Sequence, residues 1–193
     1  MAWSVDDIWN EARLTLANPR LGARRILALD LPMGARWTAV AIVAIVSTIL
    51  LHLMLRLSPE EGADPLAMIA DNPFLAAVMQ AFALVLGAAL LAFVGQKRGG
   101  RGRFADALLL FCWLQVLILG LEVLQVLAFV AMPLLGDLLS IAIIFAYFWL
   151  LTNFTMELHG FKSWGAVLGG IILTMVAAVL LLSLAGMTLA VWL

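Results

Sequence analysis

The sequence predicts an all-α fold: a polytopic integral membrane protein built as a bundle of five spanning helices, preceded by a short amphipathic helical segment on the cytoplasmic side. Three observations carry that prediction. Of the 193 residues, 65 % belong to the AVILMFWYC set and 12 % are charged, against about 25 % charged in soluble domains. Too few polar side chains remain to coat a soluble domain of this size, and a mean hydropathy of +1.12 makes lipid the matching solvent. Five apolar stretches approach the roughly 20 residues needed to cross about 30 Å of hydrocarbon. They are continuous runs, without the period-two alternation of an outer-membrane barrel. The net charge of −1 says little as a total, but the eleven Lys and Arg are unevenly placed along the chain.

Residues 1–36 form the cytoplasmic segment. Ser4 and Asp7 have the spacing of a capping box, and the acids Asp6 and Asp7 sit where a helix dipole favours negative charge. Val5, Ile8, Trp9, Ala12 and Leu16 then recur at helical spacing on one face. Asn18-Pro19 is a second start signal, a cap followed by a first-turn proline, leading into Arg20, Leu21, Arg24, Arg25, Ile26 and Leu27. Two readings of this helix pair stay open: an interfacial anchor with its arginines on anionic lipid, or a surface on which a partner docks. No apolar core followed by a small-residue cleavage site precedes the first span, so the mature chain is expected to start near Met1.

Residues 37–193 form the transmembrane domain, with spans expected at about 37–55, 74–94, 104–132, 134–153 and 164–191. Pro133, with Gly136 and Asp137, separates the third span from the fourth, because the residue before a proline is biased away from helix. Small residues such as Gly87, Ala88, Gly165, Gly169 and Gly170 are expected where helices approach closely. The connection between the first two spans contains Pro59, Pro65 and Pro73, with Leu66, Met68 and Ile69 suggesting a short interfacial turn. No internal or inverted repeat stands out.

Basic residues in short connections set orientation. Arg13, Arg20, Arg24, Arg25 and Arg36 precede the first span, Lys97, Arg98, Arg101 and Arg103 join the second to the third, and Lys162 joins the fourth to the fifth. Arg56 alone falls on the other side, which carries Glu60, Glu61, Asp64, Asp71 and Asp137. Ten against one puts the N-terminus and the 95–103 connection in the cytoplasm and the C-terminus outside an inner membrane. The run QKRGGRGR lacks the GxxxxGK[ST] spacing of a phosphate-binding loop. Its charges, with those of the N-terminal segment, are explained as topogenic residues that touch lipid phosphates. Trp9, Arg20, Arg24, Arg25, Lys97, Arg98, Arg101 and Arg103 are therefore the candidate cytoplasmic contacts to lipid or partner.

Polar residues inside a span are costly and become functional candidates. Gln115, Glu122 and Gln125 project to roughly one side of the third span, a polar stripe with three readings: a neutral carboxyl hydrogen-bonded between helices, a proton or cation path, or an oligomer contact. Asn153, Thr155, Glu157 and His159 cluster at the cytoplasmic end of span four, facing a partner or one another. His52 and Arg56 are expected to snorkel outward, and Asp106 to serve as a helix-start charge or to pair with Arg101 or Arg103. Cys112 is the one cysteine, so no disulfide framework exists. Glu157 and His159 lack HExxH order and a third ligand, and no GxSxG, nucleotide or haem motif is present. The sequence thus points to no catalytic residues, no cofactor, no metal and no nucleic-acid partner.

The Asn18-Pro19-Arg20 helix start with Arg24-Arg25, the Phe104-Ala105-Asp106-Ala107 opening of span three, the five spans and the His159-Gly160-Phe161-Lys162-Ser163 turn together resemble the YIP (Ypt-interacting protein) membrane family in its bacterial form. The resemblance covers most of the chain. It implies a five-helix bundle with a cytoplasmic N-terminus and an outer C-terminus, and it supplies no catalytic residues. Eukaryotic members of the family are associated with small GTPases and with shaping transport membranes. The functional expectation is a non-enzymatic scaffold or accessory subunit that binds the bilayer, including anionic lipids, and other membrane proteins or copies of itself. The alternative is a small transporter or ion-conducting protein that uses the Gln115/Glu122/Gln125 stripe.

Overall fold

A computed structural model describes residues 4–57 and 72–192 of the chain. The described residues form seven helices and no strand: α1 Val5–Ala17, α2 Pro19–Leu27, α3 Met33–Leu57, α4 Pro73–Lys97, α5 Phe104–Ala131, α6 Pro133–His159 and α7 Trp164–Trp192. Five of them, α3 to α7, are long and apolar enough to cross a membrane. The interfacial turn expected around Leu66, Met68 and Ile69 lies outside the described residues, as do Glu60, Glu61, Asp64 and Asp71.

The helix starts follow their local chemistry. The Ser4 hydroxyl accepts the Asp7 N–H (3.2 Å) while the Asp7 carboxylate accepts the Ser4 N–H (2.9 Å), a reciprocal capping box. Asn18 caps α2 through the Leu21 N–H (3.2 Å), and Asn72 caps α4 through the Leu75 N–H (3.0 Å), each with a proline in the first helical turn. Gly160, at φ +75°, ends α6 in the left-handed conformation that an L side chain rarely adopts.

Two helices run furthest past the expected spans. α3 begins at Met33 rather than near Trp37, and α6 continues through His159 instead of ending at Asn153. Hydropathy falls in both extensions because they carry Arg36, Glu157 and His159. Those side chains find partners within the chain, so the backbone stays helical.

α5 is the central helix, packed against α3, α4 and α6, with α2 across its end. Of its most apolar stretch 56 % is buried, against 6 % for α7, which leans on α6 and the edge of α4. Within lipid, burying apolar surface drives helices together weakly, so close packing and interhelical hydrogen bonds hold them. Leu108, Leu110 and Leu114 of α5 meet Leu150 and Phe154 of α6 in a core without solvent access. Ala88 is fully buried, and a Cβ on Gly87 would run into the Phe111 ring, so close approach occurs there as expected. At Gly165, Gly169 and Gly170 a Cβ would meet nothing within 4 Å. The expectation of tight packing at these three is corrected: α7 stands off from α4, and a cavity separates them.

Candidate functional site

The basic residues come together at one end of the bundle. Glu157, in the last turn of α6, accepts from Arg24 (Nε to Oε1, 2.8 Å) and pairs with Arg20 (3.4 Å), two side chains one helical turn apart on α2. The carboxylate holds the Arg24 guanidinium above its already high ordinary pKa, chiefly through that hydrogen bond. Arg25 reaches from α2 to the buried Glu11 of α1 (2.9 Å). Thr15 donates to the Glu11 carbonyl (2.7 Å) and accepts the Trp113 indole N–H of α5 (3.2 Å). A Cβ on Gly22 would strike Thr15, which fixes how closely α1 and α2 approach. The helix pair is therefore strapped both to α6 and to α5. Its strapped face is Glu11 and Thr15, while Val5, Ile8, Trp9 and Leu16 of the apolar stripe stay exposed, Trp9 at 62 %.

Asp106, in the first turn of α5, joins two further segments. It accepts from Arg36 of α3 (3.0 Å) and from Arg103 (2.9 Å), which raises the Arg103 pKa through the hydrogen bond. Arg36 is 4 % exposed, and its Nε donates to the Leu31 carbonyl (2.7 Å). Of the two partners anticipated for Asp106, Arg103 is the one it takes, with Arg36 in place of Arg101.

His159 organises the glycine-rich connection. Its Nδ1 accepts the Gly102 N–H (3.1 Å), so the proton sits on Nε2, which donates to the Leu91 carbonyl (3.2 Å). The ring stacks on Phe161 with centroids 5.3 Å apart. Gly95, Gly100 and Gly102 line a cup in which any Cβ would overlap the imidazole. Gly99, at φ +84°, turns the chain into that cup, and the Gln96 amide closes it on the Gly102 carbonyl (2.7 Å). The glycines of QKRGGRGR thus fit around a histidine some 57 residues further along the chain. Sequence reading gave them no role; the glycine spacing beside a downstream His-Gly turn was the available signal.

The remaining candidates are dispersed. Asn153 donates to the Trp149 carbonyl of its own helix (2.8 Å), and Thr155 to Leu151 (2.6 Å), so neither hydrogen-bonds Glu157 or His159. Gln115 reaches Ser47 of α3 (3.4 Å), whereas Gln125 reaches Ser140 of α6 (2.6 Å). Glu122, between them and half-buried, makes no hydrogen bond or ion pair among the described residues. The stripe is not one joint site: its two ends turn to different helices. His52 turns Nδ1 to the Thr48 carbonyl (2.9 Å) of its own helix instead of reaching outward. Lys97 lies 5.4 Å over the Phe93 ring, and Arg101 is exposed. No group of three or more His, Cys, Asp or Glu fit to hold a metal occurs among the described residues.

A cavity of about 800 Å³ lies between α4, α6 and α7. Leu90, Val94, Leu151 and Ile171 are among its apolar walls, and Arg98, Lys162 and Ser163 line it at the basic end.

Five span-length helices, one of them central and buried, closed at one end by two short polar-strapped helices, define a polytopic α-helical membrane protein. A family model for the Yip1 domain matches residues 13–185, and the chain belongs to the Yip1 domain family. The resemblance carried by Asn18-Pro19-Arg20, the Phe104 opening and the His159 turn is borne out over nearly the whole chain. No curated protein and no solved structure matches it.

Proposed function

We propose that this Yip1-family protein acts without catalysis, as an inner-membrane scaffold or accessory subunit that holds a platform against the cytoplasmic face of the bilayer. The N-terminus and the basic end lie in the cytoplasm and the C-terminus outside, on the ten-to-one bias of basic residues. The observation that carries the reading is the α1–α2 pair. Thr15, Arg20 and Arg24 strap the pair to α5 and α6, and Glu11 pairs with Arg25 within it, while Val5, Ile8, Trp9 and Leu16 remain as an outward apolar stripe on a fixed support. Such a stripe at headgroup depth takes up lipid or an apolar partner surface. Anionic lipids and other membrane proteins, including further copies of the chain, are the partners proposed.

A nitroxide at position 9 (Trp9→Cys in a Cys112→Ser background) in phosphatidylglycerol-containing vesicles tests this. Its accessibility to oxygen should exceed that to a water-soluble nickel complex, the pattern of a residue in the headgroup–acyl boundary. The opposite ratio, in vesicles and with no partner present, would count against the anchored platform.

A further inference from the structure

The cavity between α4, α6 and α7 combines features that point to an occupant. Its volume, about 800 Å³, falls in the roughly 300–1,000 Å³ range of small-ligand sites. Arg98 caps the end of α4, and Lys162 and Ser163 lie in the turn between α6 and α7, so the mouth is at the interface. From Ser163 the lining continues to Val179, about 24 Å along α7 at 1.5 Å per residue. That exceeds one leaflet, half of about 30 Å. Ala166, Gly170, Thr174 and Ala178 present small side chains to it at four-residue intervals and leave it open along its length.

Charge decides what fits. Arg20, Arg24, Arg25, Arg36 and Arg103 each hold a carboxylate of this chain. Arg98 and Lys162 line one mouth and have no acidic partner among the described residues. α7 starts beside them, with Ser163 Oγ accepting the Ala166 N–H (3.4 Å), so the positive end of a helix dipole adds to the two cations. A second copy in the same orientation would bring an identical basic end alongside this one, adding cations rather than an anion.

We propose that this groove holds one anionic phospholipid, its phosphate between Arg98, Lys162 and Ser163 and an acyl chain lying between α4 and α7. Guanidinium and ammonium donors suit phosphate oxygens, and the apolar walls take the methylenes. The site deepens the lipid-binding part of the proposed function and rests on that reading. α1 does not line the groove, so the nitroxide test at position 9 stands or falls separately.

The test uses the full chain in mild detergent, incubated with phosphatidylglycerol, with phosphatidylcholine, or with inorganic phosphate, and counts lipids retained by native mass spectrometry. One phosphatidylglycerol should stay bound in preference to phosphatidylcholine. Arg98→Gln with Lys162→Gln should lower its retention at least tenfold, while Arg13→Gln with Arg56→Gln, an equal charge loss outside the groove, should change it little. Gly170→Leu fills open space and leaves the mouth charges in place, so it should fold and still lower retention. Equal losses in the two double variants would overturn the site, since charge alone would then explain binding. So would undiminished retention in Gly170→Leu, competition by inorganic phosphate as effective as by lipid, or a dimer that Gly170→Leu disrupts with no effect on lipid.

Discussion

His159 shows how a single residue can fix several segments. A neutral imidazole with one nitrogen accepting and the other donating leaves no polar ring atom unpaired, and three glycines let the backbone close on it. Gly102→Ala is therefore predicted to destabilise the purified protein by about 1–3 kcal/mol, the usual cost of overpacking. Gly165→Ala, where a Cβ meets nothing, should cost little; thermal unfolding in detergent compares the two. Glu122 behaves differently: with no partner among the described residues to strand, Glu122→Leu should shift stability by no more than about 0.5 kcal/mol. At the other end of the chain, Ser4 holds the Asp7 carboxyl below its ordinary value of 3.8 through its hydroxyl and N–H. A depressed folded pKa means that this contribution is complete above the ordinary value and is lost as pH falls through the lower one. Protection of amides in the first turn of α1, measured against their intrinsic exchange rates, should fall below about pH 4, and Asp7→Asn should remove that fall.

At the scale of elements, the straps between α2 and α6 make the N-terminal helices part of the bundle. Removing the shared carboxylate with Glu157→Ala leaves Arg20 and Arg24 facing each other without an anion. Exchange over residues 19–27 should then rise, and α5 should be unaffected; equal protection in the variant would show that apolar packing of Ala23 and Ile26 suffices. Much of this level was legible in the sequence. Ser4/Asp7, Asn18-Pro19 and Pro133 are local signals, and each lies where a helix starts or stops. The Glu157 pairing was not legible, because it joins residues 133 apart and depends on where α2 comes to rest. Spacing also gave the direction of Gln115 and Gln125 on their own helix but not which helices stand opposite. Likewise, glycines at 165, 169 and 170 signal close approach only when a second helix is there to approach.

For the whole molecule, the straps bring α1, α2, the 98–103 connection and the 160–163 turn to the same end, which collects ten of the eleven basic residues. That asymmetry makes orientation testable: a periplasmic phosphatase should be inactive when fused after Gly100 and active after Leu193. In the proposed role the bundle supports a platform and conducts nothing, which flux in reconstituted vesicles tests. With a pH-sensitive dye inside and a potassium gradient imposed, wild-type vesicles and Glu122→Gln vesicles should both match protein-free controls. Proton or cation flux in the wild type that disappears in a folded Glu122→Gln variant would overturn the proposed role and make the intramembrane carboxyl the working group.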